Sequence, residues 1–256
     1  MPAPRFCCLL LLLPLACPAS PLLRGEGVAT TADGTPLYRE VHWQRGEADG
    51  SQRWVIYQCP DGRPFARKVL PATAQVQARG YELRDARSGQ HARVVAGAGQ
   101  VTVDWREQAD APPRTATLAL PADAVIDTGF DAAVRQHWST LMQGTAVTLP
   151  FLVPGRQRFY PVRVQHTGAV TWNGLPAQAI RVRLDTWFGA VAPTLSLVYA
   201  DADRRLLEFR GTSNLRDAQG RYPPVIVRFA RNAGERDSAQ WQQELQQPLV
   251  SRCTLP

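Results

Sequence analysis

Polar and apolar positions alternate along most of this chain. Ile180, Val182 and Leu184 fall on one side of their segment, and Arg181 and Arg183 on the other. Leu195, Leu197 and Tyr199 repeat the pattern, as do Leu207 and Phe209 against Glu208 and Arg210, and then Val225, Val227 and Phe229. Nearer the start, Leu37, Val41 and Trp43 alternate with Tyr38, Glu40 and His42, while Arg53-Trp54-Val55-Ile56-Tyr57 is a denser, more buried run. A period of two with one polar face predicts antiparallel strands, wet on one side. Asp33-Gly34, Asp49-Gly50, Asp61-Gly62, Ser88-Gly89 and Asn173-Gly174 separate the runs, each with a glycine available for positive φ. The stretches 96–99 and 108–113 read as loops.

Only one segment carries a strong helical period. From Asp131, placed to cap, to Gln143, the residues Val134, Trp138, Leu141 and Met142 share one stripe, and Gly144 stands where the helix should stop. A weaker, mostly polar candidate spans Glu235 to Leu245 and reads as a loosely docked tail. One helix cannot cover the apolar face of so many strands laid flat, so the sheet has to curl. The predicted fold is mainly β: a curved antiparallel meander forming a partly closed barrel wrapped around one helix, with Trp138 in the concavity. A two-sheet sandwich is the alternative.

Three stretches carry a resemblance. Val162-Arg163-Val164-Gln165-His166, then Trp172-Asn173-Gly174-Leu175-Pro176-Ala177, then the strand ending Leu206-Leu207-Glu208-Phe209 are similar to the successive hairpins of bacterial half-barrel envelope proteins. These include the lipoprotein-localisation carriers and related uncharacterised periplasmic families. The resemblance covers roughly residues 150–230 and rests on pattern. It implies an unclosed barrel around a helix with an apolar cavity, and no functional residue of those carriers maps onto a position here.

The N-terminus gives an address. Arg5 precedes the apolar run Phe6 to Leu13, followed by Pro14-Leu15-Ala16-Cys17-Pro18-Ala19. That is the layout of a secretory signal peptide, too short to span a bilayer. Residues 1–19 are therefore read as the signal and 20–256 as a single domain, periplasmic or secreted. Leu15-Ala16-Cys17 also offers lipidation at Cys17 and attachment to the outer membrane, although Pro14 stands where a lipobox usually has Leu.

The net charge of +7 looks basic, yet Lys68 is the only lysine and the arginines are scattered rather than clustered. Together with an export signal, this excludes nucleic acid as a partner. Cys59 and Cys253 are the two cysteines left after cleavage, and an oxidising compartment predicts a disulfide between them.

No catalytic motif is present. His42, His91, His137 and His166 share no metal-ligand spacing, so neither metal nor cofactor is expected. Asp201-Ala202-Asp203-Arg204 reads as a solvated hairpin turn. The seven tryptophans read mainly as core. Trp187-Phe188-Gly189-Ala190-Val191-Ala192-Pro193 is an unusually apolar connection, placed to finish the core or to form a lip, with 149–154 as a neighbouring apolar tract. Trp138, Met142, Trp187 and Phe188 are the candidate ligand-binding residues. The reading is a non-enzymatic envelope protein that holds an apolar ligand, a lipid or a lipidated protein. The alternatives are an assembly factor with a filled core and a periplasmic hydrolase.

Overall fold

The computed structural model describes residues 21–185, 194–230 and 234–253. The signal segment with Cys17, and the Trp187-Phe188 connection, lie outside the described residues.

The chain runs β1 (Leu22–Thr30), β2 (Pro36–Arg45), β3 (Arg53–Gln58), β4 (Pro64–Leu70), β5 (Tyr81–Asp85), β6 (His91–Gly97), β7 (Gln100–Arg106) and β8 (Arg114–Ala119). Two short helices follow, α1 (Gly129–Gln136) and α2 (Trp138–Met142). Then come β9 (Val147–Val153), β10 (Arg158–Trp172), β11 (Leu175–Leu184), β12 (Leu195–Ala200), β13 (Leu206–Thr212), β14 (Pro224–Phe229), β15 (Gly234–Arg236) and the helix α3 (Ser238–Gln246).

All these strands belong to one sheet, ordered β8 back to β1 and then β14 back to β9, with β15 also on β1. Every ladder is antiparallel, and the two halves of the chain meet at the β1–β14 pair. The edges β8 and β9 do not pair with each other. The gap is bridged by other means. Val125 forms a parallel bridge with Phe151 on the free side of β9. The turn after β9 meets the opposite end of the sheet, where Arg114 donates to the Gly155 carbonyl at 2.8 Å and the Gln157 amide to the Val103 carbonyl at 3.2 Å. The fold is thus the curved, partly closed meander that the alternation predicts.

The helix differs in detail. It begins at Gly129, two residues before the predicted start, and breaks at His137, so that one predicted helix becomes two short ones. Asp131 does not cap it; its carboxylate accepts the Tyr199 hydroxyl at 2.7 Å instead. The expected stripe does face the sheet. Val134, Trp138 and Leu141 are buried among Val162, Val164, Ile180, Val182, Leu197 and Tyr199 on the concave side, with Met142 packed against them.

The convex side holds a surprise. Alternation alone assigns Val41 and Trp43 to the inside, yet with Leu22, Trp54 and Ile56 they form a cluster on the opposite face, covered by Trp241 and Leu245 of α3. The expected loose tail is therefore a docked helix. Asp237 caps it by accepting from the Gln240 amide at 2.8 Å, Trp241 meets Trp54 edge-on with ring centroids 5.1 Å apart, and Glu244 accepts from the Trp43 indole at 2.7 Å. The helix starts at Ser238; residues 235 and 236, predicted helical, belong to β15. Cys59 and Cys253 are joined, their Cα atoms 5.4 Å apart, which ties this tail to the turn after β3.

Smaller differences follow from local registers. A shift between Val198 and Tyr199 in the β12–β13 ladder moves Leu207 into a small cluster with Ala177 and Ala200. Residues 96–97, predicted as loop, complete β6, and Ala98-Gly99 alone turn the hairpin at positive φ. The apolar tract 149–154 is mostly the edge strand β9 rather than a connection.

Candidate functional site

With α3 covering the outer side of β1 to β4, the polar positions of β2 are turned inward. They line a cavity of about 500 Å³ inside the curve. Register explains the wall. Glu40 lies opposite Tyr57, His42 opposite Val55, and Val55 opposite Lys68. Tyr38, Glu40 and His42 of β2, Arg53, Val55 and Tyr57 of β3 and Lys68 of β4 therefore share one face and all line the cavity. The facing wall comes from the other half of the chain and is apolar: Phe151, Val162, Val182, Leu195, Leu197, Leu206, Phe209, Val227 and Phe229. Asp127, Thr128, Phe130 and Asp131 contribute from the start of α1, and Ser213 and Asn214 from the loop after β13. Gly27 makes room between the two walls. A Cβ there would come within 2.9 Å of the Phe229 ring and 3.1 Å of Val227, so any larger residue would push Phe229 aside.

The charges in this wall are mostly answered in pairs. The Lys68 ammonium donates to both Asp127 oxygens, at 2.8 and 2.9 Å, and its side chain is 3% exposed. Burial works most strongly against its charge, but Asp127, Tyr81 and Glu40 together outweigh it and hold the proton above the usual lysine range. Asp127 adopts φ +47°, a left-handed conformation that Asp tolerates better than most residues. His42 is hydrogen-bonded to Glu40 at 2.9 Å. Tyr38 shares a hydrogen bond of 3.3 Å with Ser213, and burial raises the phenols of Tyr38 and Tyr57 well above their ordinary range.

Two groups at one end are less well served. Burial lowers the affinity of the Arg53 guanidinium for its proton, and its Nε is buried without a partner. Its carboxylate neighbour, Asp49, lies 3.6 Å away and already receives Arg135 at 2.9 Å. Burial also raises the Asp131 carboxyl above the usual range, against the pull of the Tyr199 hydroxyl, Arg135 and Arg53.

This has a consequence for stability. A carboxyl raised in the folded state favours its protonated form, so its contribution is fully present below its unfolded pKa, near 3.8, and is lost as pH rises through the raised value. Asp131→Asn keeps an acceptor for Tyr199 without the charge. The variant should match the wild type in urea midpoint near pH 3.5 and exceed it near neutrality. A variant less stable than wild type at neutral pH would show that the carboxylate is stabilising there.

Of the residues expected to bind ligand, Trp138 and Met142 lie in the packed core between helix and sheet and do not line the cavity; Trp187 and Phe188 lie outside the described residues. Glu40, His42, Arg53, Lys68, Asp127 and Asp131 were not singled out as a site by the sequence. Strand alternation marks Glu40 and His42 as a wet face, and nothing in the pattern distinguishes an aqueous cavity from bulk water. The one available signal was Lys68, a single lysine in a chain otherwise using Arg. Among the described residues, no three His, Cys, Asp or Glu side chains are grouped to hold a metal ion. His91 and His166 bond to Glu82 and Gln178, and Asp201 and Asp203 occupy an exposed hairpin turn, as their sequence suggests.

No protein-family model matches the chain, and no curated protein does. It is similar in structure to a β-barrel-like protein of the domain of unknown function DUF1849 from Brucella abortus, at 8% identity and a TM-score of 0.45, over 86% of this chain and 98% of that one. It is also similar to a putative outer membrane lipoprotein-sorting protein domain from Vibrio parahaemolyticus, at 8% identity and a TM-score of 0.29, over 89% and 91%.

Proposed function

We propose that this chain is an exported, non-enzymatic envelope protein that shelters the acyl chain of a lipid or lipidated protein inside its curved sheet. The observation that carries the reading is the cavity of about 500 Å³, one whole wall of which is aliphatic and aromatic. Its size falls in the range of sites that take one small ligand. Such a wall holds an acyl chain by removing apolar surface from water, at about 25 cal/mol per Å² before the costs of association. The apolar run after Arg5 supports an extracytoplasmic address. The periplasm is the proposed location, with outer-membrane attachment through Cys17 as the alternative; the mass of the mature N-terminus separates the two.

The test is uptake of a fluorescent fatty acid by the purified mature protein. Binding should be saturable at one probe per chain. Leu206 lines the cavity and is only half-buried, so Leu206→Trp should fill space without crowding a closed core. It should weaken uptake by about tenfold or more, while the thermal midpoint shifts by only a few degrees. Absence of probe binding, or full binding by the filled variant, would sink the carrier reading and leave a protein whose barrel is a scaffold.

A further inference from the structure

We propose that the cavity selects a single-chain amphiphile with an anionic head, a carboxylate or a phosphate, and that Arg53 holds the head. The proposal rests on the carrier reading above and adds the chemistry of the ligand's polar end.

The two walls are of opposite character. The β2–β4 wall presents Tyr38, Glu40, His42, Arg53, Tyr57 and Lys68, whereas the wall from β9 to β14 is apolar apart from Thr212, Ser213 and Asn214 at its edge. A ligand apolar throughout would strip water from the first wall and return nothing to it. An amphiphile lies along both. Among the charged groups of the polar wall, Arg53 is the one most weakly answered. Lys68 is held by Asp127, Glu40 by His42, and Asp131 takes the Tyr199 hydroxyl. Arg53 lines the cavity with an Nε that has no hydrogen-bond partner, and its ion pair with Asp49 is long, 3.6 Å, and shared with Arg135.

Position reinforces this. Glu40 sits opposite Tyr57, four residues from Arg53 along β3, which is about 13 Å at the rise of a strand. The carboxylate of Glu40 is therefore at the other end of the wall and does not repel an anion at Arg53. Burial also disfavours the charged form of the neighbouring Asp131 carboxyl, which lessens its repulsion of an anion. A guanidinium offers planar, paired donors that match a carboxylate or phosphate. A cationic head would instead meet Arg53 as a like charge.

The experiment is a calorimetric comparison of laurate, lauryl phosphate, lauryltrimethylammonium and lauryl maltoside, all as monomers, with inorganic phosphate alongside. The two anionic amphiphiles should bind at least about tenfold more tightly than the cationic and neutral ones. Arg53→Gln should erase that preference while leaving maltoside binding unchanged, and Arg53→Lys should restore part of it. Equal affinity for all four heads in the wild type would overturn the head assignment and leave the carrier reading standing. Binding of none of them would bring down the carrier reading, and this proposal with it. Inorganic phosphate binding as tightly as lauryl phosphate would also overturn the proposal, by reducing Arg53 to a bare anion site. The wild-type series decides the matter even if the Arg53→Gln variant folds poorly.

Discussion

Replacing Cys59 and Cys253 together by Ala should lower the unfolding free energy by about 4–5 kcal/mol. The bond closes a loop with a sequence separation of 194 residues, and chain-entropy arguments give long loops the largest effect because the denatured state gains the most freedom when they open. Local geometry adds to this. Cys59 is buried in the main core at the turn that joins β3 to β4, its own amide bonded to the Arg63 carbonyl at 2.8 Å. The tail beside Cys253 is held to β4 by the Val250 amide on the Pro64 carbonyl at 2.8 Å and by Arg67 on the Gln247 carbonyl at 3.0 Å. Without the bond, α3 depends on Trp241, Leu245, the Glu244 contacts and these two hydrogen bonds. Its release would expose Trp43 and Trp54, so the variant should also show an earlier, separate change in tryptophan fluorescence on adding denaturant. A loss under 1 kcal/mol, with both transitions coincident, would mean that α3 docks independently of the crosslink. Titration of the denatured, unreduced wild type should find neither thiol free.

The strands and their direction were legible because a pleated strand repeats every two residues, and the sequence repeats with it. Arg181 and Arg183 are exposed and Ile180 and Val182 buried, as the pattern requires. What alternation cannot tell is which face of a strand is inside. In β2 and β3 both faces are used: Val41, Trp43, Trp54 and Ile56 pack under α3, and Tyr38, Glu40, His42 and Tyr57 face the cavity. The polar set looks like solvent-facing sequence because it does face a space that can hold water or a polar head. The assignment of sides depends on α3, more than 180 residues further along the chain, and no local window contains it. The break at His137 was hidden for a related reason: no Gly or Pro marks it, and the residues on either side continue the apolar stripe. Asp131 has the composition of a cap and was read as one, but Tyr199, from a strand 68 residues away, provides its partner. Lys68 was visible as an oddity of composition, and only the fold shows what it faces.

Lys68→Met should destabilise the protein by about 3–5 kcal/mol, because it strands the Asp127 carboxylate in the cavity wall without its ammonium. The pair is close on both oxygens, Lys68 is almost fully buried and Asp127 is 16% exposed at its side chain, so water can answer only part of the lost charge. Changing both partners tests the account. Lys68→Met with Asp127→Asn removes both charges, and Asn tolerates the left-handed backbone at 127 as Asp does. The double variant should recover to within about 1–2 kcal/mol of wild type, since a buried ion pair replaced as a whole loses little net energy. Urea unfolding of the wild type, both single variants and the double variant at neutral pH gives the coupling directly. A double variant as unstable as Lys68→Met alone would show that the ammonium acts through other partners, such as the Tyr81 ring 5.2 Å away. Recovery in the double variant, joined to unchanged laurate binding, would assign Lys68 and Asp127 to holding the polar wall in register. Arg53, held only by its long ion pair with Asp49, would then be left as the cation of that wall to meet a ligand.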